Sequence, residues 1–169
     1  MHLLDNIAKG WVIEQYIKQH DLLMRLNASS VNTLRIWLLQ QQGEVRLLGA
    51  ILRIGRKGNV VDNSSRGGLL AKVDLATGKL EKAKNAVIFP DFHTHHPDSG
   101  AQIENLTLPF WVECQELAKQ ALRVFPKASF TGLDMAITAT GPVVVELNLE
   151  PDRITARNFD RPLMDLLNW

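Results

Sequence analysis

The sequence predicts an α+β fold, antiparallel hairpins with a few helices packed on them, and three observations lead there. Short runs rich in β-branched and aromatic residues alternate with compact turn signals, Gln41-Gln42-Gly43, Arg56-Lys57-Gly58 and Thr77-Gly78. One longer run, Pro109 to Val124, has helical length and opens on a proline, where a helix start tolerates it. The composition, 46% hydrophobic and 22% charged over 169 residues, suits one well-buried domain.

Taken in order, Trp11 to Ile17 (WVIEQYI) reads as a short strand leading into a turn or a helical start. Polar Asn27-Ala28-Ser29-Ser30 precedes a strand from Val31 to Leu39, and the Gln41-Gln42-Gly43 turn returns the chain along Val45 to Ile54. After the Arg56-Lys57-Gly58 turn comes a short strand, Asn59 to Asp62, and then a loop from Asn63 to Gly68. Leu69 to Leu75 alternates weakly, and Thr77-Gly78 turns it back toward Lys84. Phe89 to Asn105 has prolines, histidines and aspartates without periodicity. It is about 17 residues long, and such loops in compact domains are usually functional or mobile. Strands Phe130 to Thr138 and Pro142 to Asn148 follow the helix, and a short helix from about Arg161 to Leu167 ends the chain.

The totals exclude several classes of function. A net charge of +1 with scattered basic residues gives no electrostatic case for nucleic acid. The single cysteine, Cys114, excludes an internal disulfide framework and fits a reducing compartment. No apolar stretch reaches the roughly 18 residues that a membrane span needs. Met1 to Gly10 has neither the charged start nor the apolar run of a signal peptide, so a cytoplasmic location is expected.

The chemistry concentrates in Thr131 to Glu150, TGLDMAITATGPVVVELNLE. Alternation along two strands puts Leu133, Met135, Ile137, Val143, Val145 and Leu147 on one face, expected to be core. The other face carries Asp134, Ala136, Thr138, Val144, Glu146 and Asn148. A three-residue connection, Ala139-Thr140-Gly141, would set Thr138 against Pro142 and Asp134 against Glu146, with Asn148 one step along. Two carboxylates that close repel unless a cation intervenes, and hard divalent ions such as magnesium take oxygen sets of this kind. An acid face opposite an apolar one is equally the pattern of a half-exposed antiparallel strand.

Arg35 and Arg53 lie inside otherwise apolar strands, where a guanidinium needs a partner. Phosphate oxygens would match its forked donors, and a local carboxylate would serve as well. The spacing of His93, His95 and His96 places no two imidazoles on one helix face, which argues against zinc. No Ser-His-Asp or Cys-His arrangement and no P-loop signature occurs.

In this order, VIEQYI, SVNTLRI, VVDNSSRGG, KVDLATG, HHPDSG, LPFW, GLDMAIT and GPVVVELN resemble the ATP-grasp domain associated with sugar-transfer loci, related to α-L-glutamate ligases. The resemblance runs from about Trp11 to Asn148. It implies the glutathione synthetase ATP-binding-domain-like fold, in which ATP lies between two α+β subdomains. It also implies an ATP- and Mg2+-dependent ligase that activates a carboxylate as an acyl phosphate, linked to cell-surface polysaccharide or glycan modification.

Carried over by position, Asp134, Glu146 and Asn148 would hold magnesium, while Arg35, Arg53 and Asn63 would face the terminal phosphate or the acyl phosphate. Glu14, Gln15, Tyr16 and Ile17 resemble the hinge whose backbone meets adenine. The loop at His96-Pro97-Asp98 is where the resemblance would place substrate recognition, without a role for any one residue. An upstream subdomain with phosphate-binding lysines and a glycine-rich flap belongs to the family pattern, and about ten residues before the hinge-like segment do not supply it. Residues 1–169 are therefore expected to form a single domain, the C-terminal part of an ATP-grasp domain. Self-association is expected through the face where the other subdomain would sit. The alternatives are a non-catalytic nucleotide-binding or assembly module and a small-molecule phosphotransferase.

Overall fold

The computed structural model describes residues 15–59, 62, 67–85, 87, 89–149 and 162–167. The elements in chain order are α1 (Asp21–Leu26), β1 (Leu34–Gln41), β2 (Glu44–Ile54), β3 (Leu69–Val73), β4 (Leu80–Asn85), β5 (Phe92–His93), α2 (Trp111–Arg123), β6 (Phe130–Thr138), β7 (Gly141–Asn148) and α3 (Leu163–Leu167). The strands form one sheet in the order β5-β4-β3-β2-β1-β6-β7, and every neighbouring pair is antiparallel. The α+β expectation and the main hairpins agree with this sheet.

Alternation sends two sets of side chains to opposite faces. Leu34, Ile36, Leu52, Ile54, Leu69, Ala71, Leu133, Met135 and Ile137 join Trp111, Cys114, Ala118 and Leu122 of α2 in the larger core, with Leu23 and Leu26 of α1. The helix buries residues three and four apart, as an amphipathic helix laid on a sheet does. Burial pushes the Cys114 thiol up to about 12, with the Glu113 charge adding to the shift, so it stays protonated and unreactive. The opposite face has a smaller cluster, Trp37, Leu39, Leu48, Ile51 and Leu70, covered in part by Phe130 and by Leu166 and Leu167 of α3.

Several expectations need correction. Asp21–Leu26 forms a helix that the sequence reading missed, its N-terminus capped by His20 Nδ1, which accepts the Leu22 N–H at 3.1 Å. Gln15 to Lys18 have no regular structure, and the first half of the expected Trp11 to Ile17 strand lies outside the described residues. Neither Asn59 nor Asp62 is in a strand; the Asp62 side chain instead reaches back to β1's approach, its carboxylate accepting the Thr33 N–H at 2.9 Å. Pro109 lies just before α2 and does not open it. Phe110 is the N-cap residue, with φ of 56° and its side chain against the larger core. The last helix begins at Leu163, and residue 161 lies outside the described set.

The β6–β7 hairpin closes on two residues, so Thr138 faces Gly141 and Ile137 faces Pro142. A bulge at Val145 then restores the expected pairing of Asp134 with Glu146. Between turn and bulge every β7 residue sits one position from its expected partner, which exchanges faces. Val143 therefore shares a face with Ala136, and Val144 shares one with Met135. Val143 and Val145 are 42% and 48% exposed on this edge strand, not core.

The long Phe89 to Asn105 loop is fastened at several points. Arg56 donates a fork to Asp98, Nε and Nη2 each at 2.7 Å, and Lys57 N–H adds a third bond at 2.9 Å. Buried His96 bonds the Gly55 carbonyl through Nε2 at 2.9 Å, and the Ser99 hydroxyl donates to the Leu26 carbonyl at 2.8 Å. The bonds from Arg56 and Lys57 hold the Asp98 carboxyl well below the usual carboxylate range. A depressed folded pKa means the tether is complete above about pH 4, the unfolded value, and is lost only as pH falls through the lower folded one. Asp98→Asn should cost less than about 1 kcal/mol globally, as surface ion pairs do. It should still raise amide exchange at Lys57, and unchanged exchange there would contradict the tether.

Gly78 ends the Thr77-Gly78 turn at φ of 72°, and a Cβ there would meet Trp111 atoms at 2.6 to 2.8 Å. Gly78→Ala combines backbone strain with a clash against a buried ring, whose indole N–H is held by the Leu75 carbonyl at 3.1 Å. We expect a loss of roughly 2 kcal/mol or more, a Tm drop of about 4–8 °C. A drop under about 1 °C would contradict it.

Candidate functional site

Five sheet positions bring the chemistry together. Arg35 in β1 stands directly opposite Asp134 in β6, which stands directly opposite Glu146 in β7. Arg35 also faces Ile51 of β2, and Arg53 lies two residues beyond Ile51. Both arginines therefore share one face, which the sequence left open. Asn148 follows Glu146 by two residues on that face, opposite Gly132, which has no side chain to intervene.

The Asp134 side chain is nearly buried, the residue 4% exposed, and both of its oxygens are in use. Arg35 Nε donates to Oδ1 and Arg35 Nη2 to Oδ2, each at 2.6 Å, the bidentate geometry that makes such pairs strong. Arg53 Nη1 donates to Oδ2 at 3.3 Å. Its Nη2 reaches Asp62 Oδ1 at 3.1 Å. Asp62 Oδ2 in turn accepts both the N–H and the hydroxyl of Thr33. Two cations and two anions alternate here in a mostly dry setting, where breaking a pair costs far more than at a surface.

Glu146 is exposed and projects from the edge strand beside this quartet. Asn148 is half-buried, and its Nδ2 is buried with no hydrogen-bond partner. A buried amide nitrogen without a partner asks for a ligand, and the amide can present either its oxygen or its nitrogen. The residues present fit a hard divalent cation by donor chemistry: carboxylate and amide oxygens, with no thiolate or imidazole on that face among the described residues. They fit phosphate through the guanidinium forks. Among the described residues no group of three or more His, Cys, Asp or Glu could hold a metal. Any cation here would therefore depend on the asparagine and on oxygens from its ligand.

The sequence-derived set is partly assembled. Arg35, Arg53 and Asp134 touch, and Glu146 and Asn148 adjoin them on the same face. Gln15, Tyr16 and Ile17 are elsewhere, Tyr16 being 88% exposed. They lead to the far end of β6, where Gln19 bridges Thr138 and the His20 N–H meets the Ile137 carbonyl at 2.7 Å. Glu14 and Asn63 lie outside the described residues. The histidine-rich loop has local roles instead: His93 meets Asn85 at 3.1 Å, His95 meets Thr94 at 3.0 Å, and His96 is the buried fastener above.

Sequence reasoning missed Asp62 and Thr33. The available signal was a lone carboxylate ending the apolar Val60-Val61 pair, placed where two strand arginines needed partners.

No helix among the described residues is long and apolar enough to cross a membrane. Comparison with curated proteins finds no match. The family model described as sugar-transfer associated ATP-grasp matches residues 4–157, most of the chain and all of the sheet. The chain belongs to the sugar-transfer associated ATP-grasp family.

Proposed function

We propose that this chain binds ATP with magnesium on the β1–β2–β6–β7 face and serves an ATP-dependent carboxylate ligase linked to sugar transfer. One observation supports this reading above the others: a buried aspartate held by two strand arginines, with a glutamate directly opposite it and an asparagine one step along. A solvated polar face has no need of that arrangement. Family membership supplies the nucleotide. Bound there, ATP would supply a transferable phosphoryl group and magnesium would neutralise charge.

In this reading Asp134, Glu146 and Asn148 provide oxygen atoms for the cation. Arg35 and Arg53 orient and neutralise the phosphates, which is most of what a protein contributes to phosphoryl transfer. Asn63 follows Asp62, the residue that anchors Arg53, and is assigned to the same site. Glu14 to Ile17, leading to the end of the strand that carries Asp134, is assigned to adenine. The sheet and α2 correspond to the C-terminal portion of an ATP-grasp domain. The carboxylate that is activated belongs to a small molecule or a glycan. Self-association would use the face opposite α2, beyond the cover of Leu166 and Leu167.

Thermal unfolding tests this. Magnesium and a non-hydrolysable ATP analogue together should stabilise the chain by about 2.7 kcal/mol at 100 times the dissociation constant. No shift with both present would sink the reading.

A further inference from the structure

The row that carries the candidate site continues past Arg35. Arg35 stands opposite Ile51, and Ile51 stands opposite Lys72 of β3, whose ammonium meets Glu81 of β4 at 3.4 Å. Further out, Phe92 of β5 pairs with Lys84, and Lys84 pairs with Leu70 of the smaller cluster, which puts the Phe92 ring on the same face. Two hollows lie along this path. One of about 280 Å3 has Trp37, Ile51 and Lys72 in its lining, and one of about 500 Å3 has Lys82, Phe92 and Glu104. Asp74 and Glu81 line both, so the hollows share a wall.

From this we infer that the track from Ile51 to Phe92 holds the sugar chain of an extended glycan, with its carboxylate end toward Arg35 and a ring stacked on Phe92. The inference rests on the nucleotide reading above for the direction of the chain, and it goes further in naming a glycan rather than a small molecule.

Length, charge and the aromatic ring carry the argument. Neighbouring strands are about 4.8 Å apart, so the path from β1 to β5 covers roughly 19 Å, room for several sugar rings and far more than a small carboxylate needs. The charged lining is balanced: Asp74, Glu81 and Glu104 are matched by Lys72, Lys79 and Lys82. Such a surface does not attract a polyanion, but its mixed donors and acceptors suit hydroxyl groups, which both give and take hydrogen bonds. Phe92 is 65% exposed, a flat apolar face among charged side chains. The negative face of an aromatic ring attracts the C–H edges that a sugar presents. A peptide fits less well, because β5 at this sheet edge is two residues long and too short to take an added strand.

The test is a titration of the full chain, without nucleotide, followed by backbone amide shifts. The probe is a tetrasaccharide alternating glucuronate with N-acetylglucosamine, set beside glucuronate alone and tetraglutamate. The tetrasaccharide should move the amides of Lys72, Glu81, Lys82 and Phe92, and bind at least about tenfold more tightly than either control. Phe92→Ala should weaken it by about tenfold, the size of one aromatic contact, and Phe92→Tyr should not. Val112→Ala, at an exposed position of α2 across the sheet, should leave binding unchanged.

Tetraglutamate bound as tightly as the tetrasaccharide would overturn the glycan in favour of a peptide, and glucuronate bound as tightly would overturn it in favour of a small molecule. Shifts that avoid the track, or a Phe92→Ala chain with wild-type affinity, would overturn the placement. The nucleotide reading is judged separately, by thermal unfolding with magnesium and the ATP analogue. Sugar binding on the track without that thermal shift would keep the glycan and remove the nucleotide. The thermal shift without sugar binding would do the reverse.

Discussion

Arg35→Leu should destabilise the chain by about 3 kcal/mol, and Arg35→Leu combined with Asp134→Leu should recover most of that loss. Removing one partner of a buried ion pair typically costs about 3–5 kcal/mol, because it leaves the other charge dry and unpaired. The lower end applies here, since Arg53 still reaches Asp134 at 3.3 Å. For a chain of this length the single variant should melt roughly 6–12 °C lower. The double variant puts two apolar side chains at directly opposed positions, β1 against β6, on a face that already has Trp37 and Ile51. Arg53 keeps Asp62 in that variant, so no cation is stranded. A single variant within about 0.5 kcal/mol of wild type would place the pair among ordinary surface interactions.

Glu146→Gln is expected to behave in the opposite way, leaving stability intact and removing the response to ligand. Glu146 is exposed on an edge strand, and substitutions at such positions usually stay within about 0.5 kcal/mol. Relief of its repulsion with the facing Asp134 could even add slightly to stability. The stabilisation of about 2.7 kcal/mol expected from magnesium with an ATP analogue at 100 times the dissociation constant should fall to nearly nothing. The two variants thus separate roles: Arg35 matters to the empty fold, and Glu146 only to the occupied one. A Glu146→Gln chain that keeps the full gain would remove Glu146 from the site.

The hairpins were readable because their turns are chemically distinctive and their strands carry β-branched runs. The Asp134–Glu146 pairing agrees with the sequence expectation, although that expectation rests on a three-residue loop. The real turn is one residue shorter, and the bulge at Val145 compensates. The same bulge explains why Val143 and Val145 were misplaced, because alternation cannot register an extra residue that has no sequence signature of its own. The α1 helix escaped because it spans only Asp21–Leu26 and depends on His20 as a cap, a weak local signal.

At the site, sequence gave the residue types that need partners but not the partners. Arg35 and Arg53 were suspect for their apolar surroundings, yet their shared face follows from the β1–β2 register, which nothing local determines. Arg53 reaches Asp62 directly, but Asp62 is held in that place by Thr33, 29 residues away in the chain, a contact that no local pattern announces. The histidines drew attention by type, but His93 and His95 make hydrogen bonds to near neighbours in the chain, and buried His96 fastens the loop to Gly55.

On the proposed reading, the Asp134, Glu146 and Asn148 face takes a divalent cation together with a nucleotide. Paramagnetic broadening of backbone amide resonances by Mn2+, with a non-hydrolysable ATP analogue present, tests it most directly. Amides of Gly132 to Met135 and Glu146 to Asn148 should broaden first, and only with the analogue present. Broadening centred instead on the groove beside β4, where Asp74, Glu81 and Glu104 lie with Lys79 and Lys82, or independent of the analogue, would contradict it.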